Sequence, residues 1–346
     1  DIVLASPIFH DGRLVGWATN LAHHADFVDR SHAHIFQEGL RIPPIRLQTA
    51  GVIQQDVFEL ILLNCQVPHE RRADIRAQLA ANSFGVKRFH ALCDRYGVDL
   101  LEQAFEELLN YAERRMRAGI AAIPDGNYRF EDVFECDEFP ESLTFHVEIE
   151  VRGEEMHLDF RGNPPQVRAS LNMVETALLA TAYYAVKTVT DPDAPPNAGL
   201  FRPIKVSSTP GSILSASSPA AVNGRTNTCQ RVVDLVHGAL AQAIPEKIIA
   251  ACNGAVVSTT FSGINPRTGE FYVYLETLGG GFGARATKDG LDGVQVHITN
   301  TSNLPIEGLE MEYPLRVERY ELVQDSGGCG KWRGGMGLRR MIRIIG

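Results

Sequence analysis

Three side chains able to bind a divalent cation fall close together near the start of the chain: His23, His24 and Asp26. Neutral imidazole and carboxylate are the usual donors to zinc, manganese or iron. In extended backbone, side chains two apart share a face, so His24 and Asp26 point together and His23 joins them only where the chain bends. Five of the 11 histidines (His10, His23, His24, His32, His34) lie within residues 10–34, and Asp1 opens the strand expected to pair with the one that leads into the cluster. A metal held by His23, His24, Asp26 and Asp1 would lower the pKa of a bound water toward about 7, which makes hydroxide at neutral pH. The alternative is a polar strand end carrying solvated histidines. The residues alone leave both open.

Three further stretches bear on chemistry. Glu38 and Arg41 are charges set among apolar residues and stiff prolines in Phe36-Gln37-Glu38-Gly39-Leu40-Arg41-Ile42-Pro43-Pro44. Glu38 suits proton transfer or support of a metal ligand, and a structural Glu–Arg pair is the plainer reading. Gly279, Gly280, Gly281 and Gly283, followed by Arg285, form a loop whose backbone N–H groups can approach an anion. The loop has neither the spacing of a dinucleotide fingerprint nor the Gly-Lys-Ser/Thr ending of a nucleotide phosphate loop. Asn197, in Asn197-Ala198-Gly199, offers an amide that would orient a carbonyl substrate or cap a turn. No Gly-x-Ser-x-Gly elbow is present, which disfavours that class of serine hydrolase.

These residues need elements to position them. Apolar runs flank the turn His10-Asp11-Gly12-Arg13, so residues 2–9 and 13–20 read as a hairpin that delivers the histidines. Residues 56–118 repeat apolar side chains at three- and four-residue spacing and read as helices, with Asp99 and Glu102 as the cap of the second amphipathic stretch. Strict alternation over 143–151 gives an antiparallel strand. Helices follow at 170–189 and 230–244, and strands at 271–277, 317–323 and 338–345. The expected fold is α+β, with mostly antiparallel sheets and a helical segment near residues 56–118. Three units are expected: 1–55, the hairpin and metal-site segment; 56–122, helical; and 123–346, mixed and glycine-rich.

Composition narrows the function. The 346 residues carry a formal charge of -9, which argues against nucleic acid. No apolar run is long enough to span a membrane, and no polybasic run suits a membrane surface. The six cysteines form no closely spaced pair, so we expect them reduced, in a cytoplasmic protein. The chain opens at Asp1 without Met and with no signal peptide, straight into a strand, so we expect the true N-terminus to lie upstream.

Taken together and in order, several motifs resemble the hydantoinase B/oxoprolinase family over nearly the whole chain. They are Ala22-His23-His24-Ala25-Asp26, the Phe36 to Pro44 stretch, residues 64–82 with Glu70-Arg71-Arg72 and Asp74, Asn197-Ala198-Gly199, Glu276-Thr277 with the glycine loop, and Tyr313-Pro314-Leu315-Arg316-Val317-Glu318. That family includes B subunits of N-methylhydantoinase and caprolactamase, matching subunits of acetone and acetophenone carboxylases, and the C-terminal part of 5-oxoprolinase. The resemblance implies a division of labour. An A-type partner binds ATP, which this chain does not, and phosphorylates a cyclic amide or a ketone. The B subunit completes the reaction, by hydrolysis or by carboxylation. A divalent metal (zinc, manganese or iron) is implied at the positions of His23, His24 and Asp26. Members carry further chain before the position of Asp1, with Asp-Pro and Thr-His motifs, and a longer loop between Asp26 and Ile35. On the hydrolase reading, hydroxide attacks the activated amide, Glu38 moves the proton, the glycine loop receives the oxyanion or phosphate, and Arg285 pairs with phosphate. A ketone carboxylase is the alternative, and a non-catalytic scaffold for the partner is the third reading.

Overall fold

The computed structural model describes residues 2–24, 34–37, 39–137 and 141–345. Strands β1 (Ile2–His10) and β2 (Arg13–Ala22) form the expected antiparallel hairpin. Asp11 and Gly12 close it with φ of 47° and 79°, the mirror-image turn that matches strand twist. A short ribbon of β3 (Gln48–Thr49) and β4 (Val52–Ile53) leads into three helices, α1 (Gln55–Leu63), α2 (Pro68–Tyr96) and α3 (Val98–Ala121). Then come β5 (Gly126–Phe134), β6 (Leu143–Arg152), β7 (Glu155–Asp159), α4 (Glu175–Thr190), β8 (Ile204–Ser207) and α5 (Arg225–Leu240). The chain ends in β9 (Val257–Ile264), β10 (Phe271–Leu278), α6 (Ile306–Glu312), β11 (Leu315–Leu322) and β12 (Leu338–Ile344).

The fold is α+β with mostly antiparallel sheets, as the sequence predicts. Strands β5, β6 and β7 run antiparallel, and β8 joins β7 in parallel. Every second side chain of β6, from Phe145 through Val147 and Ile149 to Val151, is buried. That face meets α5, which also packs on α4, and the main core forms between them with Met116 and Ile120 of α3. The pairs β9–β10 and β11–β12 are separate two-stranded ribbons. No helix among the described residues is long and apolar enough to cross a membrane.

Polar side chains fasten the hairpin to α2. Arg71, Asp74, Gln78 and Asn82 recur every three or four residues and so lie on one face of the helix. The Gln78 amide donates to Ile2 O at 3.0 Å and to Asn20 Oδ1 at 2.9 Å. Asn20 in turn donates to Gln78 O and to Asn82 Oδ1. Arg13, at the other end of the hairpin, reaches Asp99 and Glu102 of α3. That contact corrects the sequence reading of Asp99 as a cap: Gly97 precedes the helix, and the two carboxylates face the hairpin cation. Helix α4 also starts later than expected, because Asn172 holds residues 167–172 in a loop through bonds to Val167 O, Ala169 O and Ala221 O.

A buried charge pair ties the two C-terminal ribbons together. The Arg340 guanidinium of β12 meets the Glu276 carboxylate of β10, and the Tyr274 hydroxyl donates to the same carboxylate. Removing one partner of a buried pair leaves an uncompensated charge, at roughly 3–5 kcal/mol. Glu276→Ala should therefore lower unfolding stability by about that amount in urea titration. The double change Glu276→Leu with Arg340→Met should recover most of the loss.

His237 of α5 is also buried, with Nε2 3.1 Å from Thr188 Oγ1 and 3.3 Å from Ala185 O. Burial, reinforced by His297, lowers its pKa from 6.5 to about 4. Between those values the unfolded chain takes up a proton that the folded chain refuses, so stability falls as pH falls through that window. The loss at this group should total roughly 3 kcal/mol by pH 4. Urea titrations at pH 7, 6, 5 and 4 should show the slope, and His237→Asn should flatten it.

Candidate functional site

The end of β2 carries His23 and His24 to the first turns of α2. The His24 side chain is 7% exposed, and its Nδ1 stands 3.4 Å from Asp74 Oδ2, beyond good hydrogen-bond geometry. Neither ring nitrogen has a hydrogen-bond partner among the described residues. Arg71, equally buried, reaches Asp74 at 3.1 Å and Glu70 at 2.7 Å, so one guanidinium lies between two carboxylates. Burial pulls the His24 pKa below the ordinary histidine range, with Asp74 opposing and Arg71 adding to the shift. Burial and then Arg225, the first residue of α5, do the same to His23. Both rings are therefore neutral at pH 7, the form that ligates a metal. Tyr313, after α6, feels the charges of Glu70 and Arg71, and burial above all pushes its phenol up to about 12. Its ring lies 4.8 Å from that of Tyr274, which holds Glu276. Four motifs far apart in sequence thus meet at the histidine end.

The glycine loop builds a second region. It packs backbone against backbone: a Cβ on Gly281 would stand 1.9 Å from Gly335 O, and one on Gly283 would stand 1.7 Å from Ala250 O. No side chain fits there, which explains the glycines at 279–283 and at the facing residues 334–335. Gly279, Gly280, Gly281 and Gly283 line a cavity of about 510 Å³ with Cys252 and Trp332. Phe282 also lines a neighbouring cavity of about 550 Å³ with Arg285, Lys247, Thr188, His237 and His297. Two loop N–H groups are already bonded, Gly280 to Val294 O and Phe282 to Leu291 O, each at 2.9 Å.

The other expected residues are dispersed. Asp1, Asp26 and Glu38 lie outside the described residues. Arg41 is exposed and stacks over the Phe36 ring at 5.1 Å, and the expected pair with Glu38 lies outside the described residues. Asn197 caps the short turn Ala198–Phe201 by accepting from Gly199 N, and it donates to Leu108 O of α3. It lines neither cavity of the glycine loop. The sequence names Asp74 only within a motif and gives it no role, and it does not single out the pair Asp234–His297, joined at 3.0 Å. A polar stripe at helical spacing pointed to Asp74. Asp234 and His297 are 63 positions apart, with no local signal.

Known proteins match this chain in sequence and in overall fold. The sequence matches the Hydantoinase B/oxoprolinase family over residues 1–346. An uncharacterized protein of Methanocaldococcus jannaschii is 36% identical over 353 residues, which cover 100% of this chain and 61% of that protein. Caprolactamase subunit beta of Pseudomonas jessenii is 33% identical over 354 residues, covering 98% of this chain and 61% of its own. The crystal structure of ATP-dependent caprolactamase from Pseudomonas jessenii superimposes with a TM-score of 0.90 at 31% identity, over 99% of this chain and 61% of that one. The chain thus spans about three fifths of the length of these relatives. With its family model matched from end to end and its fold shared with caprolactamase, the chain belongs to the hydantoinase B/oxoprolinase family.

Proposed function

We propose that this chain is the hydrolytic, B-type part of an ATP-dependent enzyme acting on cyclic amides such as hydantoins, oxoproline or lactams. An A-type partner would bind the ATP and deliver the activated amide. The observation that carries this reading is the buried, neutral His24, whose ring nitrogens lack hydrogen-bond partners among the described residues while Asp74 and Arg71 surround it. Such a ring fits a metal ligand. His24 and His23, with Asp26 and Asp1, would hold a divalent ion of the zinc, manganese or iron class, which when bound supplies a water acidified to near neutrality. Asp74 faces Nδ1 and so leaves Nε2 as the ligand atom, the arrangement in which a carboxylate fixes a ligating imidazole. Arg71, clamped by Glu70 and Asp74, keeps that carboxylate in place. The Tyr313 phenol stays protonated and can donate a hydrogen bond through Oη to a developing anion. Arg285 and Lys247 place positive charge on one cavity, where a phosphate would be held.

The test is the purified full-length protein with its ATP-binding partner, assayed with ATP and hydantoin, 5-oxoproline, caprolactam or ketones plus bicarbonate. Amide hydrolysis is the expected activity. His24→Ala should lose bound metal and turnover while the complex still assembles, and full activity in that variant would reject the site. Bicarbonate-dependent ketone consumption in place of hydrolysis would move the assignment to a carboxylase. Asp74→Asn should weaken metal affinity by about 10–100-fold while His24 remains present, as read by metal titration.

A further inference from the structure

A second set of potential metal ligands shares no residue with the histidine end. Asp234 of α5, Cys252 and His297 bring a carboxylate oxygen, a sulfur and an imidazole nitrogen within 4.8 Å of one another. No other three such residues gather this closely among the described residues. The Asp234 and His297 side chains are 6% and 1% exposed. One contact joins them, His297 Nε2 to Asp234 Oδ1 at 3.0 Å. The other oxygen of Asp234 and Nδ1 of His297 are buried without a hydrogen-bond partner among the described residues. The Arg231 guanidinium stands 3.9 Å from Asp234 Oδ2, but its other nitrogen is drawn to Asp132. Unsatisfied buried polar atoms each cost about 1–3 kcal/mol. Both residues that carry them belong to the cluster with the Cys252 sulfur.

The surroundings hold the cluster in place. The His297 ring meets Phe282, His237 and Tyr184 edge to face, at 5.5, 5.8 and 6.2 Å. The residue itself sits at φ 42°, a left-handed conformation that a non-glycine residue rarely takes and that recurs at functional sites. Cys252 faces the glycine-lined cavity and His297 faces the one with Arg285. The Cys252 thiol points to Ala250 O at 4.0 Å.

We infer that Asp234, Cys252 and His297 form a transition-metal site of zinc type, whose remaining coordination position opens on the cavity lined by His297. The donor set makes the choice. Sulfur excludes calcium and magnesium, which take oxygen, while one sulfur, one nitrogen and one oxygen suit zinc. Tetrahedral zinc sets such atoms about 3.3–3.6 Å apart, so side-chain rotations of about 1 Å close the site. Three protein ligands and one open position are the pattern of reactive zinc centres, whereas structural ones use four. As the ion binds, the thiol gives its proton to solvent and the sulfur lone pair forms the bond to the metal. Free of metal, burial and Asp234 hold that thiol up at about 12, which argues against its acting as an unaided nucleophile.

Cobalt(II) reports the site without any assay of activity. The full-length protein, stripped with a chelator and reloaded with cobalt under nitrogen, should show a thiolate-to-cobalt charge-transfer absorption. Cys252→Ser should abolish that band, and His297→Ala should weaken cobalt binding about tenfold or more. His24→Ala and Cys329→Ser should keep the band. A cobalt-loaded wild-type protein with no thiolate band overturns the proposal whatever the variants do, and so does a band that survives in Cys252→Ser.

Discussion

Arg71 is a cation placed almost wholly out of water, and the histidine end depends on how its charge is met. Desolvation of a guanidinium costs several kcal/mol unless carboxylates and good geometry offset it. Glu70 and Asp74 supply those carboxylates from the same helical turn. Because Asp74 is held by Arg71, it stands at a fixed place beside His24. The stripe then continues through Gln78 and Asn82 to the hairpin backbone. Helix, hairpin and histidine are thereby set by one row of polar contacts, and apolar packing from Ile75 and Phe58 stands behind it.

The two regions of interest use different physics. At the histidine end, two half-exposed carboxylates and the buried Arg71 guanidinium sit beside neutral rings, and the field is balanced locally. Around the glycine loop the walls are backbone and aromatic surface, and the Asp234 carboxylate is buried between a histidine and an arginine. The function proposed above would call for both: a place for an activated, negatively charged intermediate and a separate means of making or steering the attacking group. Arg285 and Lys247 on the cavity rim serve the first need on our reading, and the histidines serve the second.

Much of this was legible in the residues. The hairpin was, because Asp-Gly between apolar runs permits only a few turns, and β6 was, because its alternation is strict. The helical stretch over residues 56–118 resolves into α1, α2 and α3, and its period was plain. Side-chain roles were harder to read. Asp99 looked like a cap because cap and ion-pair carboxylates share a residue type, and only the approach of Arg13 tells them apart. Asn197 carries the capping role that its position allowed. Asp234, Cys252 and His297 come from a helix, a loop and a short 3-10 turn, and no spacing rule links residues that tertiary packing alone brings together. Order among distant motifs carried the family, because each motif is modest by itself and their succession is specific.

The glycine-on-glycine packing around residues 279–283 and 334–335 bears on how such a pocket diversifies. A wall made of main chain looks nearly the same whatever codons specify it, and here any Cβ at Gly281 or Gly283 collides with a carbonyl. That wall is closed to mutational tuning. New ligand preferences in the glycine-lined cavity have to be written in the side chains that share it, Cys252, Asn253 and Trp332.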